Sequence, residues 1–218
     1  MSKLLSLDDA VAKISDGMTV MFGGFMGCGN AHLLVQAIVD SGRTDLTMIS
    51  NDASTPGYGI ATLVEHKRLR KLITSHVGLN PQVAVQMNAG ELEVELVPQG
   101  TLAERIRSGG AGLGGVLTPT GIGTPIAEGK DVITVDGRQY LLEKPLRADV
   151  ALISGYRVDR NGNVWYRGDA RNFNPVMATA ADLVIVEADH LVELGDIAPE
   201  DVVTPGVFVD HIVVGGSL

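Results

Sequence analysis

The glycine-rich stretch from Ser108 to Thr124 is the first feature of the sequence that could carry chemistry. It reads SGGAGLGGVLTPTGIGT and holds seven glycines among seventeen residues. Glycine loses more conformational freedom on folding than any other residue, so a packed core does not require such a run. A disordered linker would tolerate it, and so would a loop whose backbone N–H groups lie against a ligand. Because regular elements are predicted on both sides, we favour the ligand-facing loop.

A second glycine loop, GGFMGCGN, spans Gly23 to Asn30 between a predicted strand and a predicted helix. Ligands of open α/β sheets bind where the carboxyl ends of strands turn into helices. The N-terminus of the following helix favours an anion at that position. We therefore expect a ligand-binding loop; the alternative is a tight turn from strand to helix with no ligand.

Neither glycine loop is typical of nucleotide cofactor binding. The spacing Gly110-x-Gly112-x-x-Gly115 matches the dinucleotide fingerprint formally. That fingerprint must follow a strand and open a helix, whereas here a helix precedes it and VLTPTGIGTP follows. The context argues against an NAD enzyme.

The sequence offers many backbone donors but no convincing nucleophile. Cys28 is the only cysteine, and we expect a small buried residue rather than a catalytic thiol. The five histidines show no short metal-binding spacing, and we expect no metal site. No G-x-S-x-G motif occurs. The excess of oxyanion-type donors is the most informative property of these residues.

The elements around these loops predict an α/β fold. In the first half, short apolar strands alternate with helices, which predicts an open, mostly parallel sheet with flanking helices. Ser6 and Asn30 are predicted to cap the first two helices, and Gly17 to end the first. In the second half, DVITVDGRQYLLE predicts an added β-hairpin around Asp136-Gly137. The apolar run ADVALISGYR predicts a central strand, and we expect one domain over residues 1–218.

Charge and hydropathy restrict the partners. The formal net charge is −9, so no basic surface is available for nucleic acid. No apolar run reaches the length of a membrane span. A single cysteine excludes an internal disulfide. We expect a cytoplasmic protein that binds neither nucleic acid nor membrane.

The chain resembles the A (alpha) subunit of family I CoA-transferases, closest to the acetate or butyrate–acetoacetate branch. The resemblance covers nearly the whole length. It is carried by DGMTVMFGGFMGCG, SNDAS, PQGTLAERIRSGGAGLGGVLTPTGIGT, RADVALI and ARNFNPVMA. The chain departs from the family pattern at two positions. Ala31 stands where the family usually has a proline two residues after Gly29, and Val116 stands where many relatives have phenylalanine.

The resemblance implies a ping-pong exchange of CoA between carboxylic acids. A glutamate in a Ser-Glu-Asn-Gly motif of the B subunit forms the covalent intermediates, so the A subunit would be active only with its partner, as an α2β2 assembly. By likeness of the two subunits, Asn51 stands where that glutamate would be, and an amide cannot form an anhydride. CoA and acyl-CoA would be substrates, and no cofactor is expected to be bound permanently.

The resemblance also implies roles for particular residues. The first loop is the one that the family associates with CoA: Gly23, Gly24, Phe25, Met26, Gly27, Cys28 and Gly29. The second is expected to form an oxyanion wall that faces the partner's glutamate: Gly112, Gly114 and Gly115. Asn51 and Val116 are expected at the subunit interface and the acyl pocket.

Two alternatives remain open from sequence. A succinate- or glutaconate-type CoA-transferase would be marked by basic side chains in the acyl pocket, for which Arg171 is the candidate. A sugar-phosphate-binding module of the same fold would need basic residues for a phosphate ester, and neither glycine loop contains any.

Overall fold

Residues 2–215 are described by the computed structural model. Six α-helices follow one another along these residues. They are α1 (Leu7–Val11), α2 (His32–Ser41), α3 (Ala61–Glu65), α4 (Pro81–Asn88), α5 (Gln99–Gly110) and α6 (Asn174–Met177). Short 3₁₀ turns lie at Pro125–Ala127, Gly168–Arg171, Pro199–Asp201 and Gly206–Phe208.

Eleven strands form two sheets within the same residues. They are β1 (Thr19–Phe22), β2 (Leu46–Ile49), β3 (Leu69–Thr74), β4 (Glu93–Leu96), β5 (Val116–Thr118), β6 (Val132–Val135), β7 (Arg138–Glu143), β8 (Ala148–Asp159), β9 (Val164–Trp165), β10 (Ala181–Val192) and β11 (His211–Val214). The main sheet has the order β11-β10-β8-β1-β2-β3-β4, and every neighbouring pair on this path is parallel. Strand β9 pairs antiparallel with β8.

Helices cover both faces of the main sheet. Side chains alternate along each strand, so Val20 packs into one apolar cluster and Met21 into the other. The first cluster includes Leu34 of α2, and the second includes Leu102 of α5. Strands buried on both faces are near-continuously apolar, which is why β8 could be placed centrally from its sequence.

The predicted hairpin is present as part of a small second sheet. Strands β6 and β7 pair antiparallel and are joined at Asp136 and Gly137, with φ of 49° and 76°. Positive φ at both central residues is the type I′ geometry that matches strand twist. Strand β5, which follows the glycine run, pairs with the other edge of β7 and completes a three-stranded antiparallel sheet.

The first helix is shorter than its sequence suggested. The Ser6 side chain accepts a hydrogen bond from the Asp9 N–H, as predicted. The helix ends at Val11, however, and does not reach Gly17. The following segment is held by Thr44 instead: the Asp16 carboxylate accepts the Thr44 N–H at 2.9 Å, and the Gly17 N–H donates to the Thr44 carbonyl at 3.2 Å. Tertiary contacts therefore override the helical periodicity.

No helix among residues 2–215 combines the length and the apolar character needed to cross a lipid bilayer.

Candidate functional site

A cavity of about 370 Å³ opens at the carboxyl edge of the main sheet. It is lined by residues that follow β1, β2 and β3 and by the start of α5. These residues are Phe25, Met26, Asn51, Asp52, Ser75, His76, Leu79 and Gln99. The cavity thus lies where parallel sheets place their ligands.

The first glycine loop borders this cavity through a tight turn. The Phe25 N–H donates to the Cys28 carbonyl at 3.0 Å, and the Cys28 N–H donates back at 2.9 Å. The two residues between them, Met26 and Gly27, have φ of 51° and 86°, so the turn is of type I′. Left-handed backbone costs a residue with a Cβ about 1–2 kcal/mol. Phe25 and Met26 remain exposed, at 41% and 46%.

The other glycines of this loop make room for the protein's own side chains. A Cβ on Gly23 would collide with the Asn174 side chain, and one on Gly29 would lie 2.8 Å from the Ala170 carbonyl oxygen. The Asn174 amide donates to the Gly29 carbonyl at 3.0 Å and accepts the Ser154 N–H at 3.0 Å. Part of the glycine content is therefore explained by internal packing.

Asn30 does not cap α2, which corrects the sequence prediction. The N-cap position is Ala31, which makes no side-chain capping bond. The Asn30 side chain, 3% exposed, instead donates to the Gly23 carbonyl at 2.7 Å. The buried amide can turn toward the loop because Gly24 has no Cβ, which would otherwise collide with the Asn30 side chain.

The cap of α2 comes from a residue far away in sequence. The Glu187 carboxylate in β10 accepts the Leu34 N–H at 2.9 Å. A negative group at a helix N-terminus is favoured by the helix dipole. Burial nevertheless raises the pKa of Glu187, although the N–H bonds from Leu34 and Leu33 oppose that effect.

Asn51 is buried, and its side-chain amide makes three hydrogen bonds. Its Oδ1 accepts hydrogen bonds from Gln99 Nε2 at 2.7 Å and from Ser75 Oγ at 3.1 Å. Its Nδ2 donates to Asp52 Oδ2 at 3.0 Å. The whole residue is 1% exposed. Such an amide orders the floor of the cavity and offers no nucleophile.

Three polar residues of the cavity carry no motif in the sequence: Ser75, His76 and Gln99. Ser75 and His76 directly follow β3, and Gln99 begins the helix after β4. The general rule that ligands gather at the carboxyl edge would have pointed to all three. What the sequence did not reveal is that Gln99 reaches Asn51.

The second glycine loop does not line this cavity. Gly112 and Gly114 are exposed at the C-terminal end of α5. The twelve residues of α5 separate them from the cavity at its N-terminal end by about 17 Å, at a rise of about 1.5 Å per residue. Gly115 packs beneath the backbone of β7, where an added Cβ would lie 2.5 Å from the Glu143 carbonyl oxygen.

Val116 and Arg171 each belong to a separate cavity. Val116 lies with Thr101 and Glu104 around about 310 Å³. Arg171 lies with Arg107 around about 240 Å³ on the α5–α6 face. Neither of these residues is brought to the cavity that holds Asn51.

Cys28 is exposed, which corrects the expectation of a small buried residue. It closes the type I′ turn, and its residue is exposed although Gly27 beside it is buried. Within the described part of the chain, no group of three or more histidine, cysteine or carboxylate side chains is arranged to hold a metal ion.

Comparisons with known proteins agree with this architecture. The sequence profile of the family described as Coenzyme A transferase matches residues 4–215. The chain is 54% identical over 213 residues to the acetate CoA-transferase subunit alpha of Escherichia coli (strain K12), covering 98% of this chain and 97% of that protein. It is 50% identical to the acetoacetyl-CoA:acetate/butyrate CoA transferase alpha subunit of Clostridium acetobutylicum, covering 97% of each.

A solved structure shares the fold. It is the acyl-CoA transferase YdiF of E. coli O157:H7, described as a thioester complex with CoA, with a TM-score of 0.86 and 22% identity. The match covers 98% of this chain and 47% of that one, so this chain spans about half of the YdiF chain. The fold, the profile match over nearly the full length and the identity above 50% together show that the chain belongs to the coenzyme A transferase family.

Proposed function

We propose that this chain is the alpha subunit of a heteromeric short-chain acyl CoA-transferase, which exchanges CoA between acetyl- or butyryl-CoA and acetoacetate. The observation that carries the proposal is full-length similarity to alpha subunits of that kind. In support, the cavity presents an amide at Asn51 and not a carboxylate. Asn51 cannot form an acyl anhydride, so a beta subunit must supply a carboxylate.

The chemistry requires two covalent steps on that carboxylate. The partner's glutamate, in a Ser-Glu-Asn-Gly motif, attacks the thioester carbonyl, forms a mixed anhydride and releases CoA thiolate. The thiolate attacks the glutamyl carbonyl, forms a glutamyl-CoA thioester and releases the first acid. The acceptor acid reverses both steps. CoA is a substrate throughout, and no resident cofactor takes part.

Within this division of labour, the loop from Gly23 to Gly29 contributes the CoA-facing surface. Support comes from its place at the mouth of the cavity and from the exposed side chains of Phe25 and Met26. Asn51 orders the cavity floor toward the subunit interface.

The loop with Gly112, Gly114 and Gly115 is proposed as an oxyanion wall that faces the partner, in which the Gly112 N–H itself donates to the Gly109 carbonyl at 3.3 Å. Because this loop lies away from the cavity with Asn51, the groups that it contacts during catalysis must come from the partner or the substrate. Val116, which follows it, is proposed at the acyl side of the same interface. An assembly of two alpha and two beta subunits is proposed for the active enzyme.

The cavity with Asn51 gives no support to a dicarboxylate substrate. No lysine or arginine lies among the residues that line the cavity, and Asp52 adds a carboxylate. A second carboxylate on succinate or glutaconate, or the phosphate of a sugar phosphate, would meet no lysine or arginine of this chain there. Arg171, the candidate for such a cation, lines another cavity.

The proposal is tested by finding which chain carries the covalent intermediate. The complex with the beta subunit is incubated with acetoacetyl-CoA, the thioester is reduced with borohydride, and the separated chains are weighed. We expect the mass change on the beta subunit only, and no turnover by this chain alone. A beta-subunit variant with glutamine in place of the motif's glutamate is the control. Modification of this chain, or turnover by it without a partner, would overturn the proposal.

A further inference from the structure

Asp52 is a buried carboxylate that joins the end of β2 to the first glycine loop. It is 2% exposed. One carboxylate oxygen accepts the Met26 N–H at 2.8 Å and the Asn51 amide at 3.0 Å. The other accepts the Ser54 N–H at 2.6 Å. Hydrogen bonds to an ionised acceptor are about twice as strong as neutral ones.

The Met26 bond reaches the one strained residue of the type I′ turn that is not glycine. At φ of 51° the Met26 Cβ crowds its own backbone, whereas Gly27 beside it adopts φ of 86° without a Cβ. The turn between Phe25 and Cys28 therefore needs an outside interaction at Met26. The Asp52 carboxylate is the acceptor that the Met26 N–H finds.

We propose that Asp52 is a positioning residue, whose carboxylate holds Met26 in the left-handed conformation and so fixes the turn that carries Phe25 and Met26 into the cavity. This inference rests on the proposed function for its kinetic consequence, since that turn is the CoA-facing surface. Asp52 acts through the backbone of Met26 and takes no part in bond making.

The sharpest test compares the effect of Asp52→Ala in three backgrounds. In the native background we expect a rise of about tenfold in KM for acyl-CoA, with a smaller change in kcat, because the turn no longer holds its place. This corresponds to about 1.4 kcal/mol. In a Met26→Gly background the same change should matter less than about twofold, because glycine adopts the turn without help.

Met26→Ala is the matched control background. Alanine removes the methionine side chain as glycine does, but it keeps the Cβ and therefore the strain. There the Asp52→Ala effect should stay near tenfold. A general structural role for Asp52, through its bonds to Ser54 and Asn51, would instead give the same loss in all three backgrounds, and that result would overturn the proposal.

A second readout separates this inference from the proposed function. Crystal structures of the variants report φ of residue 26 directly. We expect a negative φ in Asp52→Ala and in Asp52→Ala/Met26→Ala, and a positive φ in Asp52→Ala/Met26→Gly. An unchanged positive φ in all three would refute the role of Asp52. If the native complex with its beta subunit lacks CoA-transferase activity, the proposed function fails, and these φ values still decide what Asp52 does.

Discussion

Gly114→Ala separates a ligand-facing role of the second glycine loop from a structural one. An added Cβ at Gly114 would have no atom within 4 Å, and the backbone there is not left-handed. The substitution should therefore change the free energy of unfolding by less than about 0.5 kcal/mol. Any large loss of activity would then have to come from the partner or substrate that faces the loop.

The two neighbouring glycines provide graded controls. Gly112 has φ of 69° but open space around its Cβ position, so alanine there should cost about 1–2 kcal/mol in stability. Gly115 has φ of 145°, and its Cβ would lie 2.5 Å from the Glu143 carbonyl oxygen. A backbone atom of β7 would have to move, and we expect a loss of about 2–3 kcal/mol.

The expected activity follows from oxyanion stabilisation. Loss of one donor at such a site costs about 10²–10³ in rate, and a methyl group that only hinders the approach should cost less. For Gly114→Ala we expect turnover of the complex to fall at least about tenfold, or about 1.4 kcal/mol. Steady-state rates with acetoacetyl-CoA and acetate, urea unfolding and size-exclusion chromatography measure activity, stability and assembly.

Two results would contradict this reasoning. Turnover of Gly114→Ala within about twofold of the native rate, with assembly intact, would identify the loop as a structural turn. The loop would also be a structural turn if the loss of activity followed the loss of stability across the three variants. Gly114→Ala would then be the least affected, because its added Cβ meets no other atom.

Three further predictions concern single side chains. Cys28→Ala should keep most of the activity of the complex, because the loop uses the Cys28 backbone in its turn and the covalent step belongs to a carboxylate; an inactive but assembled variant would contradict this. Arg105→Leu should lower the free energy of unfolding by about 3 kcal/mol, since the guanidinium is 10% exposed and lies 2.8 Å from Glu95 and 4.0 Å from the buried Glu143. Urea unfolding measures this loss, and a value below about 1 kcal/mol would refute the prediction. Burial raises the pKa of Glu187 above its usual 4.5. The favourable contribution of the protonated Glu187 side chain to the free energy of unfolding is therefore fully present below pH 4.5, and it is lost as pH rises through the folded-state pKa. Native stability relative to Glu187→Gln should thus decline as pH rises above about 4.5, and a flat difference in urea unfolding would show that the folded-state pKa is not raised.

Local sequence patterns were sufficient for most of the elements. Alternating strands and helices predicted the parallel sheet, and the sheet order places β8 centrally. Asp136-Gly137 specified a type I′ hairpin because both residues tolerate positive φ. Ser6 caps α1 as predicted. These features depend on residues within a few positions of one another, so their physical causes can be read in the sequence itself.

Where side chains end up depended on contacts that sequence patterns do not encode. Asn30 looked like a helix cap, yet its amide serves the Gly23 carbonyl, while Glu187 reaches the helix from 153 positions away. Cys28 looked like a small buried residue, yet it is exposed at the end of a turn whose Gly27 is buried.

The sequence by itself determined the family resemblance, the sheet, the two glycine loops and the absence of a convincing nucleophile. Only the tertiary structure decided that one glycine loop borders the cavity with Asn51, while the other lies at the far end of α5. It alone brought Asp52 to the N–H of Met26. The physical reason is that a folded chain satisfies its buried polar groups with whichever partner packing brings near, and sequence distance does not restrict that choice.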